Sequence, residues 1–327
     1  MRANAEAAAV AAAHAVLVTY LPDQKMMLDG EFYRVLSLIP VLSAEKSAGV
    51  EVGRAAAAAF LATRVGDGFD AVVTYLPPTG PGAWVSMPTM PPLDPWIAQL
   101  RPFTMTAPSQ FRPGPPPSLK SPGYAKDLDE LARLGGAVSA RTPVQTETAA
   151  FWTTNGVIQY NDMFRAVAVR EGMRLRETAR LLAMGNIVGT DSMIATFDSK
   201  YHYGFWRPRT AIAMADIDGN PRTSPDPTWM PAFMVPNHPE YVAAHTSFAS
   251  AVGEVLTSAL GTRRIEIDLS STVTGTTHHY ATAEDLRAEV ENARVWGGMH
   301  FRNSCVLGTA LGKQVASQGL KAFRAVR

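Results

Sequence analysis

The chain is predicted to be all-α, a bundle of helix packed on helix. Three observations predict it. Ala- and Leu-rich stretches run along most of its length and are broken by Pro or Gly. Cap signals open several of them, Thr142-Pro143-Val144-Gln145 most clearly, with a proline at the first helical position and Gln at the third. Only Ile265–Val273 alternates as a strand would, and it allows at most a short β-hairpin. Of 327 residues, 46% are hydrophobic and 18% charged, so a large core is available and wholesale disorder is excluded.

The elements read in order as follows. Residues 4–20 form an Ala-rich helix ended by Pro22, and 26–38 a shorter one. Ser43 caps a helix through Ala55–Thr63, which stops at the turn Gly66-Asp67-Gly68. The stretch 77–122 then holds 14 of the 24 prolines, which rules out regular helix or central strand. Trp84, Trp96, Leu100, Phe103 and Phe111 within it argue for an irregular segment packed over a helical core, not a solvated linker. Helices resume at Tyr124–Leu134, at Pro143 to about Thr153, at Asn161–Glu171 and at Leu175–Ser199. The last is apolar nearly all round in its later part, as a buried central helix should be. Residues 209–239 read as loop, His245–Leu260 as helix, 283–295 as a helix capped by Thr282, and Phe301 to Arg324 as the final helix.

Composition excludes several functions. Thirty basic and 29 acidic residues leave a net charge of +1, too little for a nucleic-acid or polybasic membrane binder. Cys305 is the sole cysteine, so an internal disulfide and a Cys-rich zinc site are excluded. No apolar run is long enough to cross a membrane, and the Ala-rich start, with only Arg2 before it, is a poor secretory signal. A soluble protein, cytoplasmic if not exported, is expected. There is no Gly-x-Ser-x-Gly elbow, His-Glu-x-x-His helix or phosphate loop. His278 and His279 are adjacent, poor spacing for one metal, and read as a surface turn. Asp198 either orients a cation or is a plain helix-face carboxylate.

Three segments could carry chemistry. In Lys200-Tyr201-His202-Tyr203-Gly204-Phe205-Trp206-Arg207-Pro208, a helical spacing of seven puts both cations on one face amid aromatic side chains. They are either surface cations or the walls of an anion site. His245 falls where a loop enters an apolar helix, beside free backbone N–H groups, or is a buried structural histidine. In Arg294-Val295-Trp296-Gly297-Gly298-Met299-His300, the two glycines let one helix end and the next begin, leaving His300 near a helix N-terminus. Together these offer three cations, two histidines and a helix N-terminus. That set suits a tetrahedral oxyanion passing through a trigonal-bipyramidal geometry.

The order Lys-x6-Arg-Pro, a His after Pro236-Asn237-His238-Pro239-Glu240-Tyr241, and Arg-x5-His resembles the superfamily of vanadium-dependent haloperoxidases and type 2 phosphatidic acid phosphatases. Within it the chain is most similar to soluble bacterial haloperoxidase-like proteins, and residues 106–113, Thr-Ala-Pro-Ser-Gln-Phe-Arg-Pro, are similar too. The resemblance implies a single helical domain over 1–327, with an oxyanion site at one end of a four-helix bundle. It implies that Lys200, Arg207 and Arg294 hold oxyanion oxygens. His300 is then the apical ligand of vanadium, or the nucleophile of a phosphatase, and His245 the acid–base residue. Phe197 and His238 line the halide side. Vanadate is the implied cofactor, with phosphate able to occupy the same site. Peroxide, halide and a small organic molecule are the implied partners.

The chain departs from the family pattern in four places. Ala243 and Ala244 stand where the family has Ser-Gly before the histidine. The lost hydroxyl removes a hydrogen bond to a charged group, worth about 1.5–3 kcal/mol, or tenfold to a hundredfold in binding. The Ala244 methyl also intrudes where Gly lets a backbone approach closely. Ser304 stands where relatives often carry an acid four residues after the apical His. The chain begins inside the family pattern, so N-terminal helices are expected to be absent or replaced, and a homodimer would cover the surface they leave. Three functions are therefore compatible: a haloperoxidase with weakened vanadate binding, a vanadate-independent enzyme rearranging or cyclising a natural product, and an acid phosphatase or phosphate-ester processor. Each requires Lys200, Arg207, His245, Arg294 and His300 to converge on one small polar pocket.

Overall fold

A computed structural model describes residues 2–69, 71–87 and 89–325. The chain divides into two compact units, residues 1–67 and 68–327. The first unit holds α1 (Ala5–Tyr20), α2 (Lys25–Leu38) and α3 (Ser43–Arg64). The Asn4 side chain caps α1 by accepting from the Ala7 N–H at 2.8 Å. Ala7, Ala11, Phe32, Ile39 and Val50 form its small core. Ser43 is not the expected cap: Leu42 takes that position and no side chain closes the helix start.

The second unit opens on the Pro-rich stretch, whose polar groups are satisfied by the helices beneath it. Its main support is α7 (Leu175–Tyr203). Asp191 on α7 accepts from the Phe103 and Thr104 N–H groups, both at 2.7 Å, and from the Thr104 hydroxyl at 2.6 Å. Two turns on, Asp198 takes a two-pronged contact from Arg112, both bonds 2.7 Å. Asp198 thus orients a cation, but one that anchors the Pro-rich segment. Leu100 and Met105 enter the core formed by Tyr124, Leu128, Ile194 and Trp206.

The remaining helices are α4 (Pro122–Leu134), α5 (Pro143–Phe151), α6 (Gly156–Arg170), α8 (Pro208–Ala213), α9 (Ala244–Leu260), α10 (Ala283–Trp296) and α11 (Arg302–Ala325). The Thr142 capping box forms as its sequence predicts, and Thr282 makes another with Asp285. Two boundaries differ from expectation. Asn155, accepting from the Val157 and Ile158 N–H groups, starts α6 five residues early. Pro208 seeds a short helix inside the stretch read as loop. The hairpin is also longer than Ile265–Val273: β1 (Arg264–Ser270) pairs antiparallel with β2 (Thr277–Thr282). His278 and His279 therefore lie on a strand, not in a turn.

The centre of this unit is α9, which packs against α7, α10 and α11. Its small residues, including Ala249, Ser250, Ala251 and Gly253, allow the neighbours to come close. The approach is closest at α11, where a Cβ on Gly312 would collide with the Ser247 carbonyl and stand 2.9 Å from the Ser250 Cβ. No helix is long and apolar enough to cross a membrane among the described residues. Replacing Gly312 with Val should cost about 1–3 kcal/mol or more through overpacking. Urea unfolding would show this as a lowered midpoint at unchanged slope.

Candidate active site

The three chemical segments meet at the N-terminal end of α9. Lys200 lies in the last turn of α7, fully buried, and donates to the carbonyls of Pro239 at 3.2 Å and Glu240 at 2.8 Å. Gly204, at φ 55°, ends α7 in the left-handed conformation. The chain then turns, so Arg207 does not share a helix face with Lys200. It occupies the cap position of α8 in extended backbone, as a residue before proline must. The two cations are brought together by this turn instead.

Arg207 is a junction. Its Nε donates to the His238 carbonyl at 3.0 Å and Nη1 to the Met299 carbonyl at 3.0 Å. Nη1 also faces His300 Nε2 at 3.2 Å, and Nη2 faces His238 Nδ1 at 2.9 Å. A guanidinium has no acceptor, so both ring nitrogens receive. Arg294, near the end of α10, donates from Nη1 to the Trp152 carbonyl at 2.9 Å and from Nη2 to the Met299 sulfur. Its Nε is buried with no partner among the described residues. Gly298, at φ 73°, separates α10 from α11 and leaves His300 just ahead of α11, as the sequence predicts.

His300 is held by an acid that sequence reasoning did not assign. Its Nδ1 is 2.8 Å from Glu240 Oε1, which also accepts from the Phe301 N–H at 3.1 Å. Nδ1 thus carries the proton and Nε2 a lone pair. Glu240 replaces the acid expected at position 304. Ser304 instead accepts the Ala243 N–H on its carbonyl at 3.2 Å. One signal was available: Glu240 is the only Asp or Glu between Asp226 and Glu254. Trp152 and Met299, which serve through backbone carbonyls, left no sequence signal.

His245, Arg294 and His300 line one cavity of 340 Å³ together with Phe197, His238 and Ala244. The Phe197 and His238 rings stand 5.2 Å apart on its wall. Lys200 and Arg207, expected in the same pocket, do not line it: Arg207 contacts His238 and His300 from behind the wall, and Lys200 supports the Pro239-Glu240 loop. The rest of the wall is largely apolar, from Trp152, Val157, Tyr160, Met193, Pro236 and Phe248, so the cavity is less polar than expected. His245 has no hydrogen-bond partner among the described residues. Ala243 caps α9 without a side-chain oxygen, leaving the first-turn N–H groups uncapped by any side chain.

Burial dominates the protonation equilibria. It pushes Lys200 well below the usual lysine range, helped by the charges of Arg207 and Arg294. It lowers both arginines to about 10. His238, His245 and His300 are pushed down by burial and then by the neighbouring cations, so all three are neutral near pH 7. Burial raises Glu240 to about 7 despite Lys200 and Arg207. Three basic groups therefore face one acid, Glu240, which is itself about half protonated near pH 7 and does not balance them. A buried charge is costly without a partner, and a bound anion would favour the charged form of all three. No group of three or more His, Cys, Asp or Glu suited to a metal cation exists among the described residues.

Residues 180–327 match the family model of the VCPO second helical-bundle domain. Over that part the chain is similar to the vanadium haloperoxidases. The vanadium chloroperoxidase of Curvularia inaequalis is 27% identical over 175 positions, covering 41% of this chain and 28% of that protein. The chain thus spans under a third of that relative. In fold it is similar to a bacterial vanadium-dependent iodoperoxidase, with a TM-score of 0.79 and 22% identity over 97% of this chain and 79% of the other. A bacterial vanadium-dependent chloroperoxidase in its holo form gives 0.76 and 18% identity over 96% and 81%.

The Glu240 shift has a sign that can be checked. A carboxyl that holds its proton more tightly folded than unfolded favours folding at low pH, and that contribution is lost as pH rises from about 4.5 to about 7. Glu240→Gln removes the titration. The stability of the unmodified chain, measured by denaturant unfolding, should fall relative to Glu240→Gln across this window, by up to roughly 1.4 kcal/mol per pH unit. A constant difference between the two would show that Glu240 titrates normally.

Proposed function

We propose that this chain is an enzyme that holds vanadate at the Arg294 and His300 end of its cavity, with Arg207 and Lys200 close behind, and uses hydrogen peroxide to oxidise halide. The observation that carries this reading is the buried charge imbalance: Lys200, Arg207 and Arg294 against Glu240 alone, at the uncapped N-terminus of α9. The donor set fits an oxyanion. It offers cations, an unpartnered Arg294 Nε, helix N–H groups and the His300 Nε2 lone pair, which Arg207 Nη1 would have to release to an incoming anion. When bound, vanadate would supply a Lewis-acid centre that activates peroxide without a change in its own oxidation state.

The chain's own residues have distinct tasks. Lys200, Arg207 and Arg294 neutralise the oxyanion oxygens. Glu240 keeps the proton on His300 Nδ1 and so presents Nε2 toward the central atom. His245 enters neutral and unpaired, able to take a proton from incoming peroxide and return it. Phe197 and His238 shape the wall that a halide would pass. The apolar remainder of the 340 Å³ cavity leaves room for a small organic substrate beside the anion.

A second reading has its own observation. Ala243 supplies no hydroxyl, and Ala244 places its methyl on the cavity wall. A vanadate-independent enzyme that rearranges or cyclises a natural product through His245 would need neither Ser nor Gly there.

Equilibrium binding of orthovanadate, with phosphate as competitor, separates the two. On the first reading the unmodified chain binds both anions competitively, and Ala243→Ser with Ala244→Gly tightens vanadate about tenfold to a hundredfold. Arg294→Ala should abolish binding. Binding seen only in the double variant would favour the second reading, and turnover of an organic substrate without vanadate would establish it. Absence of binding in both would overturn the oxyanion site itself.

A further inference from the structure

Outside the cavity, one cluster of titratable groups has no role in the function proposed above. It lies where β2, α5 and α10 meet. Glu289 Oε1 accepts from Trp152 Nε1 at 2.9 Å and from the Tyr280 hydroxyl at 2.6 Å, and His278 Nδ1 stands 2.8 Å from the same oxygen. His278 Nε2 lies 3.1 Å from Glu147 Oε2 on α5. Thr276 donates to the other Glu147 oxygen at 2.6 Å. The Phe151 ring stacks on His278 at 3.9 Å and 10°.

We infer that Glu289, bridged by His278 to Glu147, is a positioning group for the oxyanion site and acts through Trp152 on Arg294. The inference rests on Arg294 holding the oxyanion.

Trp152 is fastened to α10 at two points. Its indole N–H bonds Glu289, and its carbonyl receives Arg294 Nη1, five residues further along the same helix. The Trp152 ring is also part of the cavity wall. Moving Trp152 therefore moves the acceptor that aims Arg294. The hairpin strengthens this support: Gln159 on α6 donates to the Ser270 carbonyl at 3.0 Å, and the Thr154 and Thr272 hydroxyls meet at 2.9 Å. Both Thr154 and Gln159 line the cavity.

His278 completes the clamp. Its two ring nitrogens face one carboxylate oxygen each, Glu289 on α10 and Glu147 on α5, and so tie the two helices across β2.

Binding of orthovanadate and inorganic phosphate to the full chain tests this. Glu289→Leu should weaken both about 10- to 100-fold. Glu289→Gln, which keeps an acceptor for Trp152 and Tyr280, should recover most of the loss. His278→Leu, which removes the bridge between Glu289 and Glu147, should weaken both anions in the same direction. Affinity in folded Glu289→Leu equal to that of the unmodified chain would overturn the inference. If Glu289→Leu does not fold, Trp152→Phe removes the indole hydrogen bond while keeping an aromatic ring and the carbonyl that receives Arg294, and unchanged affinity there overturns it equally. An unmodified chain that binds neither anion would instead overturn the oxyanion site on which the inference rests.

Discussion

Three cations buried against a single carboxylate set the terms for the loops around them. Hydrophobic residues of similar volume would often be at least as stable in such a place. The chain instead satisfies the cations with five backbone carbonyls, from Trp152, His238, Pro239, Glu240 and Met299. The connections between α5 and α6, between α8 and α9, and between α10 and α11 are thereby shaped by side-chain charge, not by their own turn propensities. Fold and site are one construction here: removing a cation would leave carbonyls unpaired as well as an anion unheld.

The helix α7 serves both purposes along its length. Asp191 and Asp198 hold the Pro-rich segment, while Lys200, two residues later, supports the loop that carries Glu240. A stretch with so few backbone donors cannot satisfy itself through regular structure. Its order depends on carboxylates, on the Asn237 amide and on the Tyr203 and Tyr241 hydroxyls, which reach its carbonyls from the helical side.

The helices were legible because caps and periodicity are local. Thr142 and Thr282 start helices where their sequences say, and Gly298 breaks one where two glycines stand. The errors are equally physical. Lys200 and Arg207 do not share a helix face as their spacing of seven suggested: Gly204 ends the helix, and Pro208 forces Arg207 into extended backbone. Glu240 was quoted within a motif and given no task, because its partner lies 60 residues away. Adjacent histidines on a strand look like a turn until the carboxylates of α5 and α10 are seen around them. Tertiary hydrogen bonds to backbone carbonyls, such as that of Trp152, leave no trace in residue type.

The enclosure of the cations behind apolar walls also governs how the site meets salt water. Mobile ions screen exposed charges over about 8 Å at physiological ionic strength, but they screen buried ones far less. Arg294 shares its cavity with the apolar side chains of Phe197, Met193 and Phe248, so dissolved salt damps its field far less than it would that of an arginine standing in open water.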